Sequence, residues 1–239
     1  MTCDVLADNG NIDLGTHTIL PFASLSGEVA PDVEDAVAVR IYGMERVVMI
    51  DPVTHTWTIS DLPPGTYTVR VSPSSSERGA MIVDAPPMAS GTAEVLPTLS
   101  LPRLSDEDYS QWMHSRVLRI NTSPTGAAII EDIRDFPLLV RLSATGFDFT
   151  SARADGRDVR FSTQDGIPLR YEIEQWDAAA GAASIWVLVD TIRANDSNQS
   201  IIMYWGLPAS TGSSCPDFSN GVSVFDTADG FAGVWHLNR

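Results

Sequence analysis

Hydrophobic and polar residues alternate along much of the chain, which is the two-residue period of β-strands. The pattern is clearest between Asp158 and Asp190. Three short segments there are separated by turn residues and carry apolar side chains at odd positions: Val159 and Phe161, then Leu169, Tyr171 and Ile173, then Ile185, Val187 and Val189. A period of two places each set on one face of a sheet. We therefore predict three neighbouring strands with this face in the core.

The same period recurs through residues 23–102 and indicates about seven short strands without a helix. Asp61-Leu62-Pro63-Pro64-Gly65 is the strongest turn signal, because Pro64 presets φ for the first corner and Gly65 can supply the positive φ of a type II turn. We predict that this turn closes a hairpin between the strands of Trp57 and Tyr67. So many short strands in so few residues are typical of a small β-sandwich.

The second half continues the pattern after a short linker. Ser105-Asp106-Glu107-Asp108 is typical of a helix start, so a single helical turn is predicted in the linker. Further strands are predicted at 116–121, 137–142 and 200–205, with short ones ending at Phe225 and Leu237. The predicted fold is all-β, with two β-sandwich domains in tandem, the second like a jelly roll. The predicted boundaries are 1–22 for an upstream strand or tail, 23–102 for the first sandwich, 103–111 for the linker and 112–239 for the second sandwich.

Charge and composition narrow the class of partner. The chain has 239 residues and 44% hydrophobic content, which is enough for two cores. Its 31 acidic and 15 basic residues give a formal net charge of −16, and every basic residue is Arg. This charge disfavours nucleic acid and anionic membrane surfaces. No apolar run reaches the roughly 20 residues that cross a bilayer, so no membrane insertion is predicted. Cys3 and Cys215 alone do not make a disulfide framework.

Two carboxylates, Glu172 and Glu174, are the candidates for catalysis. At i and i+2 of a strand they share one face, roughly 7 Å apart, as in the acid pairs of glycosidases. Asp177 follows, and it would face away unless a bulge intervened. The alternative interpretation is a solvated strand face, with Arg170 beside the two acids and Arg160 as a cross-strand ion partner.

Aromatic residues at even positions give a second candidate site. Trp186 and Tyr204 lie in strands whose odd positions already form the core, so both faces of these strands are apolar and something must cover the second one. One hypothesis is an aromatic platform for a sugar ring, with Trp176, Glu172 and Glu174 at its edge. The other is burial, either as the central strand of a sandwich or against the neighbouring domain.

Metal ligands are only weakly indicated. His17, His55, His114 and His236 lack the paired spacing of a zinc site. The segments 155–158 and 226–230 could supply oxygen ligands to calcium, although ordinary Asp-Gly turns have the same composition. No cofactor is predicted, and calcium is kept as the alternative.

Particular phrases of the first half resemble a known family. SLSGEV, AVAVRIY and WTISDLPPGTYTVRV are similar to the Gly-x-Val strand and the proline-glycine hairpin of the carboxypeptidase regulatory-like (transthyretin-like) domain. The usual Asp-x-x-Gly turn is replaced by residues 52–55. The resemblance implies a stalk or spacer on an exported bacterial protein.

Phrases of the second half resemble another family. DFPLLVRL, GRDVRFSTQDGIPLRYEIEQWD, ASIWVLVD, IIMYWG and VFDTADGFAGVWHL are similar, in order and spacing, to an uncharacterised bacterial surface domain that commonly precedes a concanavalin A-like (laminin-G-like) lectin domain. The resemblance implies a cell-surface location and a lectin-like domain beyond Arg239.

The expected function follows from both halves. We expect a non-catalytic module of an exported bacterial surface protein, a spacer joined to a domain that binds carbohydrate or assists binding, with a polysaccharide as ligand. Two alternatives stay open: a glycoside-active fragment using Glu172 and Glu174, and a purely structural spacer.

Overall fold

Thirteen β-strands form the described part of the chain, which in this computed structural model comprises residues 21–34, 36–74, 77–208, 215–225, 231 and 234. Within these residues there is no α-helix, and the helical segments are short 3-10 turns. The all-β prediction is therefore confirmed. The strands are β1 (Ala23–Glu28), β2 (Val37–Ile41), β3 (Val47–Met49), β4 (Thr56–Leu62), β5 (Thr68–Pro73), β6 (Met81–Asp84), β7 (Ala93–Val95), β8 (His114–Ile120), β9 (Ile133–Ser143), β10 (Arg160–Thr163), β11 (Tyr171–Asp177), β12 (Ala182–Ile192) and β13 (Gln199–Trp205).

Two sheets face each other in the first half, with strand orders β4-β1-β7 and β3-β2-β5-β6. Alternate residues of both sheets, among them Leu25, Val39 and Val71, are fully buried in one hydrophobic core. The predicted hairpin at Asp61–Gly65 is wrong, because β4 pairs with β1 while β5 pairs with β2 and β6. The turn carries the chain from one sheet to the other, which lets the apolar faces of β4 and β5 pack on each other.

The close approach of β1 to an indole ring explains one glycine of the first core. Trp57 lies opposite Gly27 and is 3% exposed. A Cβ on Gly27 would stand 2.8 Å from Cζ2 of that ring. Only a glycine lets the ring pack directly on the backbone of β1.

The turn predicted to be type II at residues 61–65 has a different backbone conformation. Its residue with positive φ is Asp61 (56°) and not Gly65.

The second half contains another pair of three-stranded sheets, with orders β11-β12-β9 and β10-β13-β8. Odd-numbered residues of both central strands, such as Ile185, Val187 and Met203, are fully buried in a second core. Of the three strands predicted to be neighbours, β11 and β12 pair, whereas β10 pairs with β13 in the other sheet. The predicted neighbourhood of β10 holds only at residues 167–169, which hydrogen-bond back to β10 at 2.9 Å. It is wrong for β11 itself, because odd-position burial shows only that a strand faces the core and not in which sheet it lies.

Smaller differences lie at the linker and the C-terminal part. The linker contains two 3-10 turns, Leu104–Asp106 and Tyr109–Gln111, where one helical turn was predicted. The strand predicted to end at Phe225 is wrong, since Gly221–Ser223 forms a 3-10 turn that the Asn220 side chain caps. Residues 1–20 of the predicted upstream strand or tail, and the end of the strand predicted to finish at Leu237, lie outside the described residues.

Residues 215–225, here called the junction segment, contact both halves of the chain. Asp217 exchanges two backbone hydrogen bonds with Ala80 (2.7 and 2.9 Å), and its carboxylate pairs with Arg70 at 2.6 Å. Three residues later the Asn220 amide donates to the Tyr171 carbonyl of β11 at 3.0 Å. The junction segment thus hydrogen-bonds to the first half on one side and to the second half on the other.

Candidate functional site

The two candidate carboxylates lie on the outer face of the β11-β12-β9 sheet. Trp186 is in the central strand of this sheet, opposite Glu172 on β11 and Leu139 on β9. Glu174 reaches the same indole, because its Oε2 accepts a hydrogen bond from Nε1 of Trp186 at 2.7 Å. The structure therefore brings together three of the five predicted site residues, Trp186, Glu172 and Glu174.

A bulge in β11 separates Trp176 from this group. The register shifts between Ile173 and Gln175, so the residues after it point to the opposite faces from those that strict alternation predicts. Trp176 consequently turns inward, where its ring meets Phe147 and Phe149 at centroid distances of 5.9 and 5.2 Å. Trp176 packs against the core and does not lie beside the carboxylates.

The junction segment covers part of the outer face. A Cβ on Gly221 would stand 2.6 Å from Oε1 of Glu172, so the backbone of this segment lies directly against that carboxylate. Phe225 packs its ring against Trp186 at a centroid distance of 5.5 Å and an interplanar angle of 73°. The apolar second face of β12 is thus partly covered by a later part of the same chain.

Tyr204 lies on a different surface. It belongs to β13, whose sheet packs its inner face on the same core as the β12 sheet, so the outer faces of the two sheets point away from each other. Its ring stacks on Tyr109 of the linker, with centroids 4.4 Å apart and planes within 5°. Tyr204 and Trp186 therefore cannot form one platform. A different residue packs on each ring, Tyr109 on Tyr204 and Phe225 on Trp186.

A buried ionic cluster around Arg160 is the feature that sequence reasoning missed. Arg160 was expected on a solvated face, as an ion partner of its strand neighbours, and this is wrong. Its side chain is fully buried and pairs with Glu107 of the linker at 2.9 Å. It also donates to the Tyr171 hydroxyl at 3.1 Å and stacks over Phe218 at 4.7 Å. The cluster joins the linker, β10, β11 and the junction segment.

The charges in this cluster are structural. Burial alone would lower the pKa of Arg160, but Tyr171 and Glu107 hold it above its ordinary value, so the guanidinium stays charged. Burial raises the pKa of the Tyr171 hydroxyl and of the Cys215 thiol. Both groups are therefore protonated at neutral pH, which is unsuited to nucleophilic chemistry. Arg160 occupies an even position of a short strand, where the alternating pattern predicts exposure. The sequence therefore gave no sign that this side chain would be buried.

The acidic segment at 155–158 serves turn formation in this structure. Asp158 is 1% exposed and accepts hydrogen bonds from the backbone amides of Arg153, Gly206 and Leu207 at 3.0, 2.9 and 3.2 Å. Asp155 pairs with Arg157 at 2.5 Å. Within the described residues no group of three His, Cys, Asp or Glu side chains could hold a metal ion. His17, His236 and the segment 226–230 lie outside those residues.

The fold and these contacts define an all-β protein with two hydrophobic cores. A family model described as a domain of unknown function (DUF2341) matches residues 155–238. The predicted resemblance of the second half to an uncharacterised domain is thus confirmed over this range, whereas the resemblance of the first half to the carboxypeptidase regulatory-like domain is not confirmed. No curated protein matches the chain. No helix of the described residues is long and apolar enough to cross a membrane.

Several solved structures match part of the chain at low similarity. A type II cohesin–X-dockerin complex from Acetivibrio cellulolyticus is 15% identical with a TM-score of 0.27, over 35% of this chain and 58% of that one. The Bacillus anthracis TIE protein is 12% identical with a TM-score of 0.24, over 78% and 31%. The major pilin subunit BcpA* of Bacillus cereus is 8% identical with a TM-score of 0.23, over 78% and 58%. The chain spans less than two thirds of the length of each of these chains.

Proposed function

We propose that the chain is a non-catalytic module of an exported bacterial surface protein, in which a spacer is fixed rigidly to a domain that displays or assists a binding domain. The proposed units are 23–102 and 112–239, joined by the linker 103–111 and preceded by the tail 1–22. The junction segment carries this proposal. Because Asp217 is bonded to Arg70 and Ala80 while Asn220 is bonded to Tyr171, the two units are held at a fixed angle. A fixed angle is what a spacer needs in order to orient its cargo.

The surroundings of the two carboxylates support the non-catalytic interpretation. A glycosidase needs open space for a sugar ring between its two acids. Here the backbone of Gly221 fills the space beside Oε1 of Glu172, and Oε2 of Glu174 is engaged by the Trp186 indole. The alternative of a glycoside-active fragment predicts release of reducing sugar that a Glu172→Gln variant abolishes.

A polysaccharide is the ligand that we propose for the outer face of the β11-β12-β9 sheet. Trp186 is only half-buried there, and its indole orientation is fixed by Glu174. The next cross-strand row brings Ser184 opposite the exposed Arg141. An aromatic ring surrounded by hydrogen-bonding groups is the usual arrangement for stacking a sugar while binding its hydroxyls.

Polysaccharide binding to an array tests this assignment with two matched variants. Trp186→Ala and Tyr204→Ala each remove a half-buried ring from the central strand of a sheet, but on opposite outer faces. We expect the wild type to bind at least one polysaccharide, Trp186→Ala to lose that binding at least tenfold, and Tyr204→Ala to retain it. Circular dichroism establishes that both variants are folded. Binding that survives Trp186→Ala would refute this surface as the site, and no binding by the wild type would leave only the spacer.

The rigid joint is tested by calorimetry. Asp217→Ala removes the carboxylate that Arg70 binds while leaving both cores intact, so the two units should unfold in separate transitions where the wild type unfolds in one. Glu77→Ala serves as the control, because it removes an exposed ion pair to Arg170 across the same joint. Two transitions in the wild type would contradict a rigid joint.

A further inference from the structure

Three Asn-x-Ser sequences occur in the chain, at Asn121, Asn195 and Asn198. This motif is the acceptor for N-linked glycosylation in exported proteins. The other four of the seven asparagines do not carry it. All three acceptors are exposed and lie at one end of the second sandwich.

A buried hydroxyl is one of the groups that hold the two loops of this end together. Thr122, which is 1% exposed, donates to the carbonyl of Asp196 at 2.9 Å and accepts from the amide of the same residue at 2.8 Å. The loop that follows β8 and the turn between β12 and β13 are therefore one surface. The local geometry nevertheless distinguishes the three sequences.

Two of the three acceptors are poorly presented. Oδ1 of Asn121 accepts from the amide and the hydroxyl of Ser123 at 3.1 and 2.7 Å, and its Nδ2 donates to Thr125, so the reacting amide is already engaged. The hydroxyl that Asn198 requires belongs to Ser200, which is 8% exposed and bonded to Gln164 inside β13. A transferase could not reach that hydroxyl without unfolding the strand.

Asn195 is presented differently. It lies at the tip of the β12–β13 turn with a positive φ of 48°, and both Asn195 and Ser197 are exposed. The turn is anchored through its backbone, because the amides of Ala194 and Asn195 donate to Asp132 and Ile129 at 2.8 and 2.9 Å. Within the described part of the chain, no side-chain hydrogen bond engages either Asn195 or Ser197. The acceptor residue and the residue that carries its hydroxyl are therefore both exposed.

We propose that Asn195 is the site of an N-linked glycan. In the transfer, Nδ2 of Asn195 attacks the anomeric carbon of a glycosyl diphosphate donor. The new C–N bond forms as the C–O bond to the diphosphate breaks; the diphosphate leaves with the electron pair and a base takes the amide proton. This inference rests on the proposed function, since the donor and the transferase meet the chain only on export.

Mass spectrometry of the protein from its own cells tests the proposal. Trypsin cuts after Arg193 and Arg119, which places Asn195 and Asn198 in peptide 194–239 and Asn121 in peptide 120–134. We expect peptide 194–239 to be heavier than its sequence by a glycan that fragmentation locates on Asn195, and peptide 120–134 to have its sequence mass. Modification of Asn198 or Asn121 instead, or sequence masses throughout, would overturn the assignment.

Changes at the hydroxyl provide the matched control. Ser197→Ala removes the motif without touching Asn195, and should return peptide 194–239 to its sequence mass, whereas Ser197→Thr should keep the glycan. A glycan that persists in Ser197→Ala would refute sequence-directed transfer. Protease treatment of intact cells separates the two proposals. Failure to release peptides of this chain contradicts the surface location, whereas release of unmodified peptides contradicts only the glycan.

Discussion

Removal of the Glu107 carboxylate should destabilise the protein far more than removal of a similar ion pair at the surface. Glu107 is the partner of Arg160, whose side chain is 0% exposed, and the two charged atoms are 2.9 Å apart. Breaking a buried pair from one side leaves an uncompensated charge and typically costs about 3–5 kcal/mol. The Arg157, Val159 and Pro216 carbonyls still accept from the guanidinium. We therefore expect the lower end, about 3 kcal/mol, for Glu107→Ala.

The ion pair between Glu77 and Arg170 is a suitable control because its distance is also 2.9 Å while its side chains are 63% and 44% exposed. Exposed pairs contribute about 0–1 kcal/mol, so Glu77→Ala should cost less than about 1 kcal/mol. Urea unfolding followed by tryptophan fluorescence gives both free energies of unfolding, provided that the m-value is unchanged. Equal costs for the two variants would refute the conclusion that burial of Arg160 sets the strength of this pair.

Three further predictions concern single sites. Gly27→Ala should cost about 1–3 kcal/mol in urea unfolding, because the new Cβ would overlap the Trp57 ring; an unchanged midpoint would contradict this packing. The Cys215 thiol should react with a disulfide reagent only after unfolding, since burial raises its pKa; a Cys3→Ser background isolates this thiol, and rapid reaction of the native protein would contradict the burial. Asp108 caps a 3-10 turn, and the hydrogen bonds that it accepts from this turn hold the pKa of its carboxyl below the ordinary 3.8. Its stabilisation is therefore present above that value and lost as the pH falls below it, so the stability difference between wild type and Asp108→Ala should be constant near neutral pH and shrink in acid.

Local patterns in the sequence predict the strands well because burial on one face leaves a period of two. The odd positions are buried, as that period requires, from Ala183 to Val189 in β12 and from Ile201 to Trp205 in β13. What the period does not encode is which strands pair, because pairing depends on contacts distant in the sequence. For that reason the turn at Asp61–Gly65 was predicted as a hairpin, and β10 was placed beside β11.

In the candidate site, too, local patterns were predicted and contacts between distant parts of the sequence were not. Glu172, Glu174 and Trp186 lie close together because they belong to adjacent paired strands. The bulge after Ile173 turned Trp176 to the opposite face, and no residue there signals the extra position. Tyr204 was grouped with Trp186 because both are aromatic residues at even positions, yet their sheets present opposite surfaces. The burial of Arg160 depends on Glu107, which lies 53 residues earlier in the chain.

The separation in sequence between Arg70 and Asp217, 147 residues, has a consequence for synthesis. Among the residues that the structure describes, the first core comprises residues from Ala23 to Leu101, so it can form while the rest of the chain is still being translated. The joint to its neighbour must wait until Asp217 has been made. A nascent chain can therefore carry a folded first half before the junction segment is made, and the hydrogen bonds that hold the first half against the second form only after that segment has emerged.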